Sequence, residues 1–181
     1  MPTRSLTDLV ERIRSEQRLQ DEVPGFDPKN GNELARHVFV LEAPGPQAIK
    51  TGSISFDNPD RTAANFRAQL QSAGIRRDEF AIWNVVPWYL GNQDRSRVRG
   101  ALARDIELGL VYLDAVVQAI SALRCIVLVG GAARQARIRL SHTTPVRILT
   151  CHHPSPKVQN TMPGAWEENV AVFRFMRATT R

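Results

Sequence analysis

Apolar positions along the chain follow two patterns that alternate. Leu6, Leu9, Val10 and Ile13 recur at the three-and-four spacing of an amphipathic helix, with Ser5 and Asp8 placed as a capping box ahead of them. Pro24, Gly25, Pro28 and Gly31, set among polar residues, predict a loop over residues 21–35 that carries the chain onto a sheet. The continuous apolar run His37 to Leu41 is the first strand. Asn58-Pro59 predicts a helix start, with Ala63, Phe66, Leu70 and Ala73 as its buried face and Gly74 as its stop. Phe80 to Val86 is the second strand, and Pro87, Gly91, Asn92 and Asp94 place a loop after it. Leu102, Ile106, Leu110, Leu113, Val117 and Ile120 form the stripe of one long helix that feeds the third strand, Cys125 to Val129. Gly130-Gly131 turns that strand into a short arginine-rich helix. Val146 to Thr150 is the fourth strand, and Val170, Val172, Phe173 and Met176 mark a closing helix.

Strands that read as unbroken apolar runs need cover on both faces, and helices between them supply parallel crossovers. The pattern therefore predicts an α/β fold, a three-layer α/β/α sandwich around a mostly parallel four-stranded sheet. The length, 181 residues, suits one domain over 1–181, with the helix and loop of residues 1–35 packed on it.

Composition narrows the class. With 43% hydrophobic and 23% charged residues the chain is globular rather than disordered. Its longest apolar run, Cys125 to Gly131, is far short of the roughly 18 residues that span a bilayer, so no membrane partner is expected. Arg4, Arg12 and Arg14 are interleaved with Asp8, Glu11 and Glu16, and no apolar stretch or small-residue cleavage site follows, so neither a secretory nor a transit leader fits and the cytoplasm is the expected location. The net charge of +6 favours polyanions. Only Lys29, Lys50 and Lys157 of the 24 basic residues are lysine, a bias that suits bidentate phosphate contacts. Cys125 and Cys151 sit in apolar runs and look like core residues; without CxxC or Cys/His ligand spacing, neither a metal site such as zinc nor a disulfide framework is expected.

In open α/β sheets ligands bind beyond the carboxyl ends of the strands. Those ends carry Glu42-Ala43-Pro44-Gly45, then Asn84 with Pro87-Trp88-Tyr89, then Gly130-Gly131, then His152-His153-Pro154-Ser155-Pro156. Each has a purely structural alternative. Pro44-Gly45-Pro46 would serve as a rigid turn, Asn84 as a partner for buried backbone groups, and His153 as an ordinary loop residue. Gly130-Gly131 lacks the continuation of a phosphate-binding loop.

In their order along the chain, however, these segments resemble the uracil-DNA glycosylase superfamily, from about Val38 to the end. VLEAPG is similar to the GEAPG form of that family's first motif, with Leu41 in place of the leading glycine. Phe56 in GSISF falls where the family places an aromatic that stacks on the extruded base. NVVPWYLGN resembles the segment whose asparagine reads the base, LVGGAARQA resembles the LLGATAAQA junction, and HPSP is identical to the start of the second motif in many members. The resemblance implies Glu42 and His153 as catalytic residues. It implies Ala43, Pro44, Gly45, Phe56, Asn84 and Ser155 around the base, and Pro154, Pro156, Lys157 and Val158 against DNA.

The departures are specific. Members sharing GEAPG carry an iron–sulfur cluster on four cysteines, and this chain has two cysteines, so no cluster is expected. In HPSP members the first motif has an aspartate that would fall on Ala43, which leaves Glu42 to take the role. Their stack-inserting leucine is replaced by Lys157 and Val158, so the wedge is weaker or different.

Breaking an N-glycosidic bond builds positive charge on the sugar and negative charge on the base, which calls for a carboxylate near the sugar and a donor at a base oxygen. Glu42 and His153 are that pair. Phe56 would stack on a flipped base and Asn84 would read its imide edge. The expected function is monofunctional, cofactor-free removal of uracil, or a related deaminated base, by a monomer whose partner is DNA containing uracil or an abasic site. A non-catalytic DNA-binding member of the same fold and an unrelated nucleotide hydrolase on a similar sheet remain open as alternatives, the missing metal-ligand cluster counting against the hydrolase.

Overall fold

The computed structural model describes residues 5–180. Helix α1 (Leu6–Gln17) starts where Ser5 Oγ accepts the Asp8 N–H at 3.0 Å, and it buries Leu6, Leu9, Val10 and Ile13. Strand β1 (Gly25–Phe26), strand β2 (His37–Leu41), helix α2 (Pro46–Thr51) and strand β3 (Ser53–Ile54) follow. β1 and β3 pair as a two-residue parallel ladder. Residues 21–35 are therefore not loop throughout. Two residues are too few to show a period, and α2 is a six-residue helix opened by Gly45 and Pro46, which read in sequence as a turn.

Helix α3 (Arg61–Ser72) begins later than Asn58-Pro59 suggests, because Asp60 is its cap and accepts the Ala63 N–H at 2.9 Å. Asn58 instead ties Thr51 Oγ to the Ser53 carbonyl. Strand β4 (Phe80–Asn84) stops at Asn84. Val85 and Val86 stay buried while their N–H groups donate to the Leu41 and Glu42 carbonyls at 2.8 and 2.9 Å. Helix α4 (Ala103–Ala119) buries Ile106, Gly109, Tyr112, Leu113 and Val116, a seam rotated from the predicted stripe, with Leu102 exposed ahead of its first turn. Gly109 sets that rotation: a Cβ there would lie 1.9 Å from the Val85 carbonyl oxygen, so the helix rests on backbone.

Strand β5 (Cys125–Val129) leads into α5 (Gly130–Arg134) and α6 (Arg137–Thr143), two short helices where the sequence pattern predicts one. Strand β6 (Arg147–Cys151), helix α7 (Pro156–Thr161) and helix α8 (Ala165–Thr179) complete the chain.

The main sheet has the order β4-β2-β5-β6, and every neighbouring pair is parallel. α3 packs with α8 on one side and α1 with α4 on the other, giving the predicted three layers. Alternate residues of the central strands serve opposite faces. Phe39 meets Phe66, Phe80 and Phe173 edge-to-face at 5.2, 5.7 and 5.2 Å, while Trp83 is stacked by Phe26 at 4.5 Å. Among the described residues no helix is long and apolar enough to cross a membrane.

Candidate active site

The strand order decides which loops meet. Leu41 is in register with Asn84, so Glu42 and Asn84 leave the sheet side by side. β6 is separated from β2 by β5, and His153, two residues beyond β6, approaches the others past the end of β5. Gly130 makes that passage possible. It has φ +86, and a Cβ there would stand 3.1 Å from His153 Cβ and 3.4 Å from its Cδ2. The Gly130-Gly131 pair thus contributes room for a histidine. Gly130→Ala should destabilise the fold by about 1–2 kcal/mol through the left-handed backbone alone, seen as a lower urea midpoint at unchanged slope. An unaltered midpoint would remove this role.

The side-chain geometry of His153 is set by its own loop. Its Nδ1 accepts the Ser155 N–H at 3.2 Å, so the neutral ring carries its proton on Nε2. Burial lowers its pKa, and the nearby Glu42 charge opposes that shift without overcoming it. The site therefore holds an imidazole rather than an imidazolium near neutral pH. Asn65 donates to the Pro154 carbonyl at 2.9 Å and Gln159 to the His153 carbonyl at 3.3 Å, which pins the loop. His152 turns away, with Nε2 2.7 Å from Glu168.

Glu42 is half-buried, and its Oε1 accepts the Ala101 N–H at 2.7 Å, leaving Oε2 without a partner among the described residues. Asn84 is 2% exposed. Its Nδ2 is buried and has no hydrogen-bond partner among the described residues. It is not serving backbone groups through that nitrogen, and a buried orphan donor is costly unless something completes it.

Asn84 lines a cavity of about 340 Å³ together with Ala43, Pro44, Gly45, Phe56 and His153. The volume is at the small end of the range for ligand sites. Phe56 packs on Phe80 at 5.6 Å, and the Arg77 guanidinium covers one face of its ring at 4.4 Å from the centroid, so that face is closed to stacking. Arg77 is held in turn by Asp27, Asp57 and Asn30.

Other sequence-predicted residues lie beside the cavity rather than on its wall. Ser155 caps α7 through its Oγ, 3.4 Å from the Val158 nitrogen, and orients His153 through its N–H. Pro154 is buried, Pro156 and Val158 are half-buried on α7 or at its start, and Lys157 is exposed. Gln47, Asp60 and Thr62 line the cavity without having been picked out in the sequence. They reach it only because α2 and the start of α3 fold over the sheet end, and no motif marks them.

A sequence model of the uracil DNA glycosylase superfamily matches residues 28–175, which includes every residue of this site. The chain belongs to that superfamily. A solution NMR structure of a proposed uracil DNA glycosylase from Methanosarcina acetivorans has the same fold, with a TM-score of 0.55 at 13% identity over 87% of this chain and 98% of that one. No curated protein matches the chain in sequence.

The four-cysteine iron–sulfur set of some members does not fit the residues of this superfamily member. Cys125 opens β5 and Cys151 closes β6, four register positions apart, or about 13 Å along the sheet. Burial pushes both thiols up to about 12, so they are inert core residues.

Proposed function

We propose that the chain is a monofunctional DNA glycosylase that hydrolyses the N-glycosidic bond of uracil, or a related deaminated base, after flipping the nucleotide into the cavity. Superfamily membership points to glycosylase activity, and the reading of the base rests above all on the buried Asn84, which lines the cavity with His153 and whose Nδ2 has no partner among the described residues. A carbonyl oxygen of the base completes that donor, while the amide oxygen accepts the imide N–H. Phe56 stacks on the flipped ring. His153 Nε2–H is the donor for the oxygen on which charge accumulates as the base departs, and the free oxygen of Glu42 faces the sugar, where it steadies positive charge and orients a water. Lys157 takes a phosphate of the strand. The enzyme works as a cytoplasmic monomer without a cofactor.

Incubation with a labelled uracil-containing oligonucleotide followed by alkali should break the strand at uracil. Intact strands, with retained binding to abasic DNA, would favour the non-catalytic alternative. Asn84→Ala should slow uracil release by roughly ten- to a hundredfold. Asn84→Asp should shift preference toward cytosine, because a carboxylate accepts from the cytosine N4 amine and repels uracil O4. Unchanged selectivity in both variants would assign the reading to another group.

A further inference from the structure

Between β4 and α4 the chain forms a hairpin over residues 91–102 that the base cavity does not use. The hairpin is preorganised. Gly91 and Val98 form an antiparallel bridge, the Arg97 N–H donates to Asn92 Oδ1 at 2.9 Å, and the Asn92 N–H donates to the Arg97 carbonyl at 3.1 Å. At its stem the Arg99 guanidinium makes two hydrogen bonds to the buried Asp105 carboxylate, at 2.6 and 3.1 Å, and Asp105 also accepts the Leu102 N–H at 2.9 Å. Much of the ordering that a bound partner would otherwise have to impose is already in place.

This frame presents Val98 at 51% exposure between two exposed arginines, and the Arg97 guanidinium has no partner among the described residues. Three residues further on, Ala101 donates to Glu42 at 2.7 Å. Three extended residues span at most about 11 Å, so Val98 sits within that reach of the backbone that holds the reacting carboxylate. A single exposed valine usually needs no explanation. This one is held by the hairpin's own hydrogen bonds, follows the unpaired Arg97 guanidinium and is tethered to the backbone that holds Glu42, and DNA offers what the exposed pair would bind: a phosphate for Arg97 and an apolar base face for the valine. α7, where the resemblance places the wedge, does not offer one, since Val158 is half-buried and Lys157 is charged.

We propose that the 91–102 hairpin is the duplex-opening element, with Val98 entering the base stack at the vacated position and Arg97 taking a flanking phosphate. The inference rests on the glycosylase reading for its substrate. Val98→Ser should lower the ratio of duplex to single-strand uracil release about tenfold, since only the duplex requires unstacking, and Val98→Leu should restore it. Arg97→Ala should reduce the slope of log binding constant against log salt by about 1. In parallel, a duplex carrying 2-aminopurine beside the uracil reports unstacking by fluorescence without any need for cleavage. A smaller fluorescence rise with Val98→Ser supports the hairpin even if neither strand form is cut, a result that would overturn the glycosylase reading alone. Unchanged fluorescence and an unchanged rate ratio in Val98→Ser overturn the hairpin proposal, whatever the enzyme does to uracil.

Discussion

Glu42→Gln should lower the single-turnover rate of base release by about 10²-fold or more while leaving the fold and DNA binding in place. The fold is spared because a glutamine oxygen can still accept the Ala101 N–H, the one hydrogen bond through which Glu42 holds the hairpin. What disappears is the negative charge, on which the proposed mechanism relies both to stabilise an oxocarbenium-like sugar and to activate water. Ala43 carries no carboxylate, so no neighbour in the first motif substitutes. Asp57, the next carboxylate after Glu42 along the chain, is occupied by Arg77, Arg67 and Lys29, and the Arg77 hydrogen bond holds its pKa below the usual range. Release at the wild-type rate would take Glu42 out of the mechanism and turn attention to Asp60, which lines the cavity.

His153→Ala should cost about 10²–10³ in the same rate, the scale of removing one donor from a developing oxyanion. Binding of an abasic-site product should be nearly unaffected, because that product presents no base oxygen. The donor is Nε2–H of a neutral ring, so the pH profile carries a second check. Burial depresses the His153 pKa, which keeps the ring neutral from alkaline pH down past the ordinary imidazole value of about 6.5. The rate should be flat across that interval. A rate that fell as pH rose through about 6.5 would assign the work to an imidazolium and refute the account. The same shift fixes a sign for stability: the unfolded chain binds the proton more readily, so the His153 contribution is complete above about 6.5 and is lost as pH falls below it.

The depth at which the sequence speaks differs from one element to the next. The four strands of the main sheet follow from unbroken apolar runs and the faces of α1 and α3 from a period of 3.6 residues, which are local properties of the chain and survive in a one-dimensional string. The ends of elements are less faithful. α3 starts at Arg61 because Asp60 captures the Ala63 N–H, a choice among several adjacent capping residues that periodicity does not make. The seam of α4 is turned by Gly109 meeting the Val85 carbonyl, a contact with a different part of the chain.

For the site, the sequence by itself determined which side chains stand at strand ends: Glu42, Asn84 and His153, with Phe56 added by its motif. The tertiary structure alone decided that they come together at one end of the sheet. The order β4-β2-β5-β6 sets Glu42 beside Asn84, and Gly130 lets His153 pass the end of β5 to reach them. The Ser155 N–H fixes the tautomer of His153 from two residues away, but long-range packing pins that loop through Asn65, leaves Asn84 Nδ2 without a partner among the described residues, and brings Ala101 to Glu42 across 59 positions of sequence. Patterning encodes what each backbone segment buries. Which segments become neighbours, and which polar atoms are left for a ligand to complete, depends on strand pairing and on space between side chains distant in the chain, and these exist only once the sheet is assembled.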